Sequence, residues 1–184
     1  MGIDWQFWAR ERTIDDVKVF LLRIDWDDLR ELFDLGREQY TRRTQSGHHL
    51  RRTMRMNMRK AREFLSRMSH NAYTLQLWAK TELRHSSRNG QFSPETRAQF
   101  RAAAQMAADF RSLSRMQRIK LGWWILLKAE RWPVGQMPSI ACLRNLGTQG
   151  ELDLLYLYQE LKTNAAKLAL PYGQQVYDDF LAGL

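Results

Sequence analysis

Apolar residues recur along most of this chain at intervals of three and four positions, which is the spacing of one face of an α-helix. No stretch alternates apolar and polar residues between the Asn-Gly or Asp-Gly turns that are typical of β-hairpins. Only four prolines and ten glycines interrupt the 184 residues, so long helices can form. We therefore predict an all-α fold without a sheet, a single-domain bundle of about 6 to 8 helices with one or two long ones.

Capping signals place the predicted helices along the chain. Ser93-Pro94-Glu95 is a helix start, since serine can cap, proline has no N–H to lose and glutamate complements the helix dipole. Thr148 with Glu151 forms a capping box. The spacing predicts helices near 14–24, 26–44 with a bend or end at Gly36, 48–69, 71–88, 94–111, 115–131, 139–146, 148–169 and up to 181.

Two pairs of these helices, 48–69 with 71–88 and 94–111 with 115–131, can each be one helix or two. A possible cap at Ser114 favours a break near Ser112 in the second pair. Between Trp132 and Pro138 two prolines prevent a continuous helix. We predict a main bundle over 1–132, a Pro-containing linker at 133–138, and C-terminal helices over 139–184 that pack on the bundle within one domain.

Apolar runs and cysteine usage indicate a cytoplasmic protein. The longest apolar run, Leu121 to Leu127, falls far short of the roughly 20 residues that cross a bilayer, so we expect no membrane association. The first residues lack the basic and apolar pattern of a targeting segment. Cys142 is the only cysteine and cannot form an intrachain disulfide, which favours a reducing compartment.

Charge is the strongest functional signal in the sequence. The formal net charge is +9, and the segment from Arg42 to Arg67 holds nine basic residues against one acid, Glu63. On a helical wheel most of these arginines lie away from an apolar seam. That seam spans an arc of about 80° and consists of Leu50, Met54, Met58, Ala61, Leu65 and Met68.

A second basic zone follows at 97–120, where arginines again recur at helical spacing. Arginine presents a planar, permanently charged fork that fits phosphate oxygens, and eight of the nine cations in the first zone are arginines. We predict that both zones bind nucleic-acid backbone with little reading of bases. The predicted binding residues are Arg42, Arg43, Arg51, Arg52, Arg55, Arg59, Lys60, Arg62, Arg67, Arg97, Arg101, Arg111, Arg115 and Arg118.

Aromatic residues near the first zone are candidates for base stacking, namely Tyr40, Tyr73 and Trp78, although this spacing is more typical of a core. Trp123-Trp124 cannot point the same way on a helix, so we expect one of them to be partly exposed. The run from Leu152 to Tyr158 is apolar over most of a helix circumference, which indicates a central helix or a protein interface. We expect the aromatic N-terminus, Trp5, Phe7 and Trp8, to dock on the bundle or on a partner.

Catalytic and metal signatures are weak. Glu82 and His85 have the Glu-x-x-His spacing of di-iron bundles, but no second copy accompanies them. No nucleophile elbow and no phosphate-binding glycine loop occurs. We therefore expect neither an enzyme nor a metal or cofactor, and we read the acidic residues of the N-terminal helices as caps. A helix-turn-helix reader is also disfavoured, because no short helix, tight turn and polar reading helix follow each other.

These patterns predict a non-catalytic helical subunit that binds RNA or single-stranded DNA within a larger complex. In size, helicity and basicity, though in no motif, the chain resembles the small helical subunits of CRISPR surveillance complexes, and that resemblance implies a role in lining a nucleic-acid path. The alternative is a protein-interaction module, an adaptor, inhibitor or phage or plasmid factor, whose basic face binds an acidic protein surface. The acidic N-terminal zone can also pair with the basic zones, within the chain or in a homo-oligomer.

Overall fold

The computed structural model describes residues 14–89, 92–126, 137–146 and 152–183. These residues form an all-α fold, as predicted, with two long helices and a single two-residue antiparallel ladder that the sequence pattern does not predict. The helices are α1 (Ile14–Phe20), α2 (Trp26–Leu32), α3 (Leu35–Thr44), α4 (Gly47–Asn89), α5 (Pro94–Leu126), α6 (Leu154–Ala169) and α7 (Gln174–Gly183). The ladder pairs β1 (Asn145–Leu146) with β2 (Leu152–Asp153).

Both long helices are continuous. The residues of α4 form one helix of 43 residues, and α5 continues for 33 residues through Ser112, so the predicted break there is wrong. Ser114 is fully buried inside α5, on the same face as Phe110, Gln117 and Leu121. Because this face stays buried on both sides of Ser114, packing carries the helix past the polar residue that resembled a cap.

The predicted helix 26–44 is in fact two helices, and the break precedes Gly36. The carboxylate of Asp34 accepts a hydrogen bond from the backbone N–H of Arg37 at 3.0 Å and so caps α3. Asp25 caps α2 in the same way, with 3.1 Å bonds from the N–H groups of Asp27 and Asp28. Each short helix therefore begins at its own aspartate.

Helix α1 ends at Phe20, before the predicted end at residue 24. The side chain of Asn71 binds the backbone of Leu22 on both sides, accepting from its N–H and donating to its carbonyl, each at 2.8 Å. The ring Nε2 of His70 lies 3.0 Å from the carbonyl of Phe20. These bonds satisfy backbone groups that a longer α1 would pair internally, so the chain leaves the helix there.

The predicted short helix at 139–146 is only a 3-10 turn, Ala141–Leu143, followed by β1. Asp153 caps α6 by accepting from the N–H of Leu155 at 2.8 Å. Burial alone would raise the pKa of Asp153, but the hydrogen bond from Arg144 and the helical N–H groups lower it. The proposed Thr148 to Glu151 capping box and most of the 133–138 linker lie outside the described residues.

The described residues divide into two compact units. The first comprises those within 1–23, 69–112 and 158–184, and the second those within 24–68 and 113–157. The first unit is built around Trp78, whose ring centroid lies 5.5 Å from that of Phe100 and 5.4 Å from that of Phe180. Fully buried Asn71 donates a 2.8 Å hydrogen bond to the hydroxyl oxygen of Tyr158 in the same unit.

The core of the second unit contains the apolar seam of α4, all six members of which are completely buried, as the wheel predicts. A buried polar network also belongs to this unit. Glu38 accepts from Arg42 through one carboxylate oxygen, at 2.9 and 2.7 Å, and from the Ser139 hydroxyl and the Ala141 N–H through the other, at 2.9 and 3.1 Å. The network thus attaches α3 to the segment around residue 140.

Candidate nucleic-acid interface

Four arginines form one stripe along the part of α4 that belongs to the second unit. Arg52, Arg55, Arg59 and Arg62 follow each other at intervals of three, four and three residues. At 100° per residue they share an arc of about 80°, centred about 125° from the buried seam. With a rise of 1.5 Å per residue the stripe is about 15 Å long. We call these four residues the α4 arginine stripe.

Most of the α4 arginine stripe is available to a ligand. Arg52, Arg59 and Arg62 are exposed, and none of the three has a hydrogen bond or ion pair with another described residue. Arg55 is half-buried and also interacts within the protein. A row of exposed guanidinium groups without acidic partners is an electrostatic surface that attracts anions. Its arrangement on one helix keeps the Cα positions fixed relative to each other.

Arg42 lies in a different environment from the stripe. Besides its bonds to Glu38, its Nη2 donates to the carbonyl oxygens of Met137 and Pro138, at 2.9 and 3.1 Å. The Nε and Nη2 groups of Arg42 are therefore bound by the protein itself, which assigns Arg42 a structural role. Arg43, one position further along α3, is exposed and has no such partner among the described residues.

On the other flank of α4, cations of the first basic zone face the acidic helices. Lys60 and Arg67 line a cleft of about 190 Å³ together with Asp25, Asp28 and Glu63. Arg67 also forms an ion pair with Glu63 one turn away. An adjoining cleft of about 290 Å³ is lined by further acids of α2 and α3. On this flank local acids offset the positive charge, in line with the alternative that the acidic N-terminal zone pairs with the basic zones within the chain.

The second basic zone does not form one continuous surface in either unit. Arg97, Arg101 and Arg111 belong to the first unit, and Arg115 and Arg118 belong to the second. Arg97 donates to the Ser86 hydroxyl at 3.2 Å, and the Arg111 guanidinium lies 4.0 Å from the centroid of the Tyr73 ring.

The remaining members of the predicted set differ in exposure. Arg101 and Arg115 are exposed, whereas Arg51 and Arg118 are half-buried. The Nε atoms of Arg51 and Arg118 are buried and have no partner among the described residues.

The three aromatic candidates for stacking are placed very differently. Trp78 is buried and its indole N–H donates to Glu82 at 3.2 Å, so it cannot stack on a base. Tyr73 is half-buried beneath Arg111. Tyr40, by contrast, is 69% exposed on α3. Only Tyr40 of the three therefore presents an accessible ring.

Neither a cluster of metal ligands nor a membrane-spanning helix is found in the described part of the chain. Glu82 is engaged by Trp78, and there is no cluster of three or more His, Cys, Asp or Glu side chains suited to a metal among residues 14–89, 92–126, 137–146 and 152–183. Within the same ranges, no helix combines the length and the apolar character that a membrane span requires.

One feature of the described surface was predicted only in part: the expected exposure of one tryptophan in the Trp123-Trp124 pair is confirmed, but the exposure of the apolar residues on the same side of the helix was not predicted. Residues Met116, Ile119, Trp123 and Leu126 of α5 are exposed rather than packed, including the tryptophan of the Trp123-Trp124 pair. Their spacing is visible in the sequence, but the same spacing is usual for a core-facing stripe, so only the exposure of these side chains in the folded chain distinguishes the two cases. Comparisons of the chain with protein-family models, with curated proteins and with solved structures give no match.

Proposed function

We propose that the protein is a non-catalytic subunit that binds the backbone of RNA or single-stranded DNA within a larger complex, through the α4 arginine stripe. The observation that carries the proposal is the placement of Arg52, Arg59 and Arg62 on one exposed side of α4, where no described acidic residue pairs with them. Phosphates are repeated anionic groups, and arginine binds them with two parallel hydrogen bonds.

Backbone binding by such a stripe is expected to be independent of base sequence. Contacts to phosphate position a nucleic acid but do not distinguish bases. Exposed Arg43 and the ring of Tyr40 on α3 are additional candidates for contacts to the same strand.

The test is binding of labelled 20-nucleotide RNA and single-stranded DNA, followed by fluorescence anisotropy between 50 and 200 mM salt. Each phosphate neutralised on a single strand contributes a slope of about −0.7 in log K against log salt, so the three exposed arginines contribute about −2. Over this salt range the stripe then accounts for about 20-fold of the loss in affinity. In the variant with all four stripe arginines changed to glutamine, the slope of log K against log salt should be less steep by this amount.

A matched control removes the same number of charges elsewhere on the exposed surface, by changing four cations to glutamine: Arg30, Lys80, Arg84 and Lys167. This control should keep a slope closer to that of the unmodified protein. Circular dichroism must show the same helicity for both variants. Absence of binding at 50 mM salt, or equal losses in the two variants, would overturn the proposal. Binding of polyglutamate with the same dependence on the stripe would instead favour an acidic protein as the partner.

A further inference from the structure

An apolar stripe lies exposed on the part of α5 that belongs to the second unit. It consists of Met116, Ile119, Trp123 and Leu126, whose exposed fractions are 46, 54, 59 and 74%. The core-facing side of the same helix is a different one, since Gln117 and Leu121 are buried there. We call the four exposed residues the α5 seam. Contiguous apolar residues left in solvent mark an interaction site more often than single ones do.

The spacing of the α5 seam is that of a coiled coil. Intervals of three, four and three residues place Met116 and Trp123 at a positions of a heptad, and Ile119 and Leu126 at d positions. The four share an arc of about 80°, the narrow width of a coiled-coil contact, and extend over about 15 Å of helix. The preceding a and d positions, Asp109 and Ser112, are polar and exposed, so the seam begins at Met116.

Cations occupy both edges of the seam. Arg115 stands at the g position before Met116, and Lys120 at the e position after Ile119, and both side chains are exposed. In coiled coils the charges at e and g select the partner helix and its orientation. Basic edges therefore favour a partner with acidic residues at the facing positions.

We propose that the α5 seam docks an amphipathic helix of a partner protein, with apolar residues at its a and d positions and Glu or Asp at e and g. This site is separate from the α4 arginine stripe and does not depend on nucleic-acid binding. It assigns Arg115, which the sequence placed among the phosphate contacts, to the protein partner.

Pairing of the seam with a second copy of itself is disfavoured by charge. In a parallel pair the g position of one helix faces e of the other, which brings Arg115 next to Lys120. In an antiparallel pair equal positions face each other, again with like charges. A lipid surface is a poorer match as well, because interfacial helices bury a broad apolar face, whereas this stripe is narrow.

The probe is a labelled peptide of about 21 residues with Leu at a and d and Glu at e and g, measured by anisotropy against the full chain. A second peptide carries Lys in place of Glu. We expect saturable binding of the Glu peptide below about 100 μM and at least about tenfold weaker binding of the Lys peptide. The double variant Ile119→Gln/Trp123→Gln should weaken the Glu peptide about tenfold or more, and Arg115→Glu/Lys120→Glu should reverse the preference between the peptides.

The matched control changes two exposed apolar residues outside the seam, Val19→Gln and Tyr156→Gln, and should bind like the unmodified protein. The proposal is overturned if the Glu peptide does not bind, if both peptides bind equally, or if the seam variant binds as well as the control. Sedimentation that shows a dimer lost in the seam variant would identify a second copy as the occupant instead. Seam-dependent binding to vesicles containing anionic lipid, without peptide binding, would also overturn it.

Discussion

The Glu38→Gln substitution is expected to lower the free energy of unfolding by about 2–4 kcal/mol. Both oxygens of the buried Glu38 carboxylate accept hydrogen bonds. The donor to one oxygen is Arg42, and the donors to the other are Ser139 and Ala141. A glutamine amide replaces one of these oxygens with an NH₂ group. Whichever way the amide is turned, at least one donor then faces another donor.

The magnitude follows from these contacts. Hydrogen bonds to a charged group contribute about 1.5–3 kcal/mol, and a buried donor left without an acceptor costs about 1–3 kcal/mol. Ser139 can rotate its hydroxyl and accept a hydrogen bond from the new amide, and Arg42 keeps its hydrogen bonds to the carbonyls of Met137 and Pro138. The loss of stability is therefore smaller than the sum of these individual free energies. For a chain of 184 residues, this change corresponds to a decrease in Tm of about 5–15 °C.

Urea unfolding followed by circular dichroism and by tryptophan fluorescence measures the change. Glu31→Gln is the matched control, because Glu31 pairs with Arg37 on the surface and such pairs contribute less than about 1 kcal/mol. In a double-mutant cycle, Glu38→Gln and Arg42→Gln should show a coupling of about 1–3 kcal/mol. A loss below about 0.5 kcal/mol for Glu38→Gln, equal to that of Glu31→Gln, would refute the structural role of this network.

Two further substitutions test the contacts that end α1 and begin α6. Asn71→Ala should destabilise the protein by about 2–4 kcal/mol, because the backbone of Leu22 and the Tyr158 hydroxyl lose a buried hydrogen-bond partner. Hydrogen exchange at the Leu22 amide should become faster for the same reason, and unchanged exchange would contradict this prediction. Asp153→Asn should cost about 1 kcal/mol at pH 7. Folding lowers the pKa of Asp153, so the contribution of its carboxylate to the free energy of unfolding is complete above the unfolded-state pKa near 3.9. That contribution is lost as the pH falls through the lower pKa of the folded state. The free energies of unfolding of the variant and of the unmodified protein, measured by urea titration, should therefore converge at low pH.

Local patterns were enough to predict the helical class and the buried side of α4. The periodicity from Leu50 to Met68 repeats with every turn, and a residue at i and another at i+4 lie on one face in any α-helix. Ser93 and Asp25 were recognisable as caps for the same local reason. The predicted break in α5 failed because Ser114 packs inside the unit, and a cap signal in sequence does not reveal burial.

The availability of the charged residues depends on tertiary contacts. Arg42 and Arg52 are the same residue type in the same basic zone, yet Arg42 is bound by groups 95 and 96 residues away in sequence, whereas Arg52 is exposed. Likewise, the buried acid Glu38 occupies a helix whose sequence reads as a solvated surface element. The packing of the helices determines which distant groups contact these side chains. The composition of the basic zone does not reveal these contacts.

The amino-acid sequence alone therefore determined the helical periodicity, the seam of α4 and the excess of positive charge, because each arises from neighbours within about one helical turn or from simple composition. The tertiary structure decided which arginines form an accessible stripe, which cations are offset by the acids of α2 and α3, and that the apolar stripe of α5 is exposed rather than buried. Burial and ion pairing depend on contacts between residues far apart in the chain, and those contacts exist only once the helices have packed.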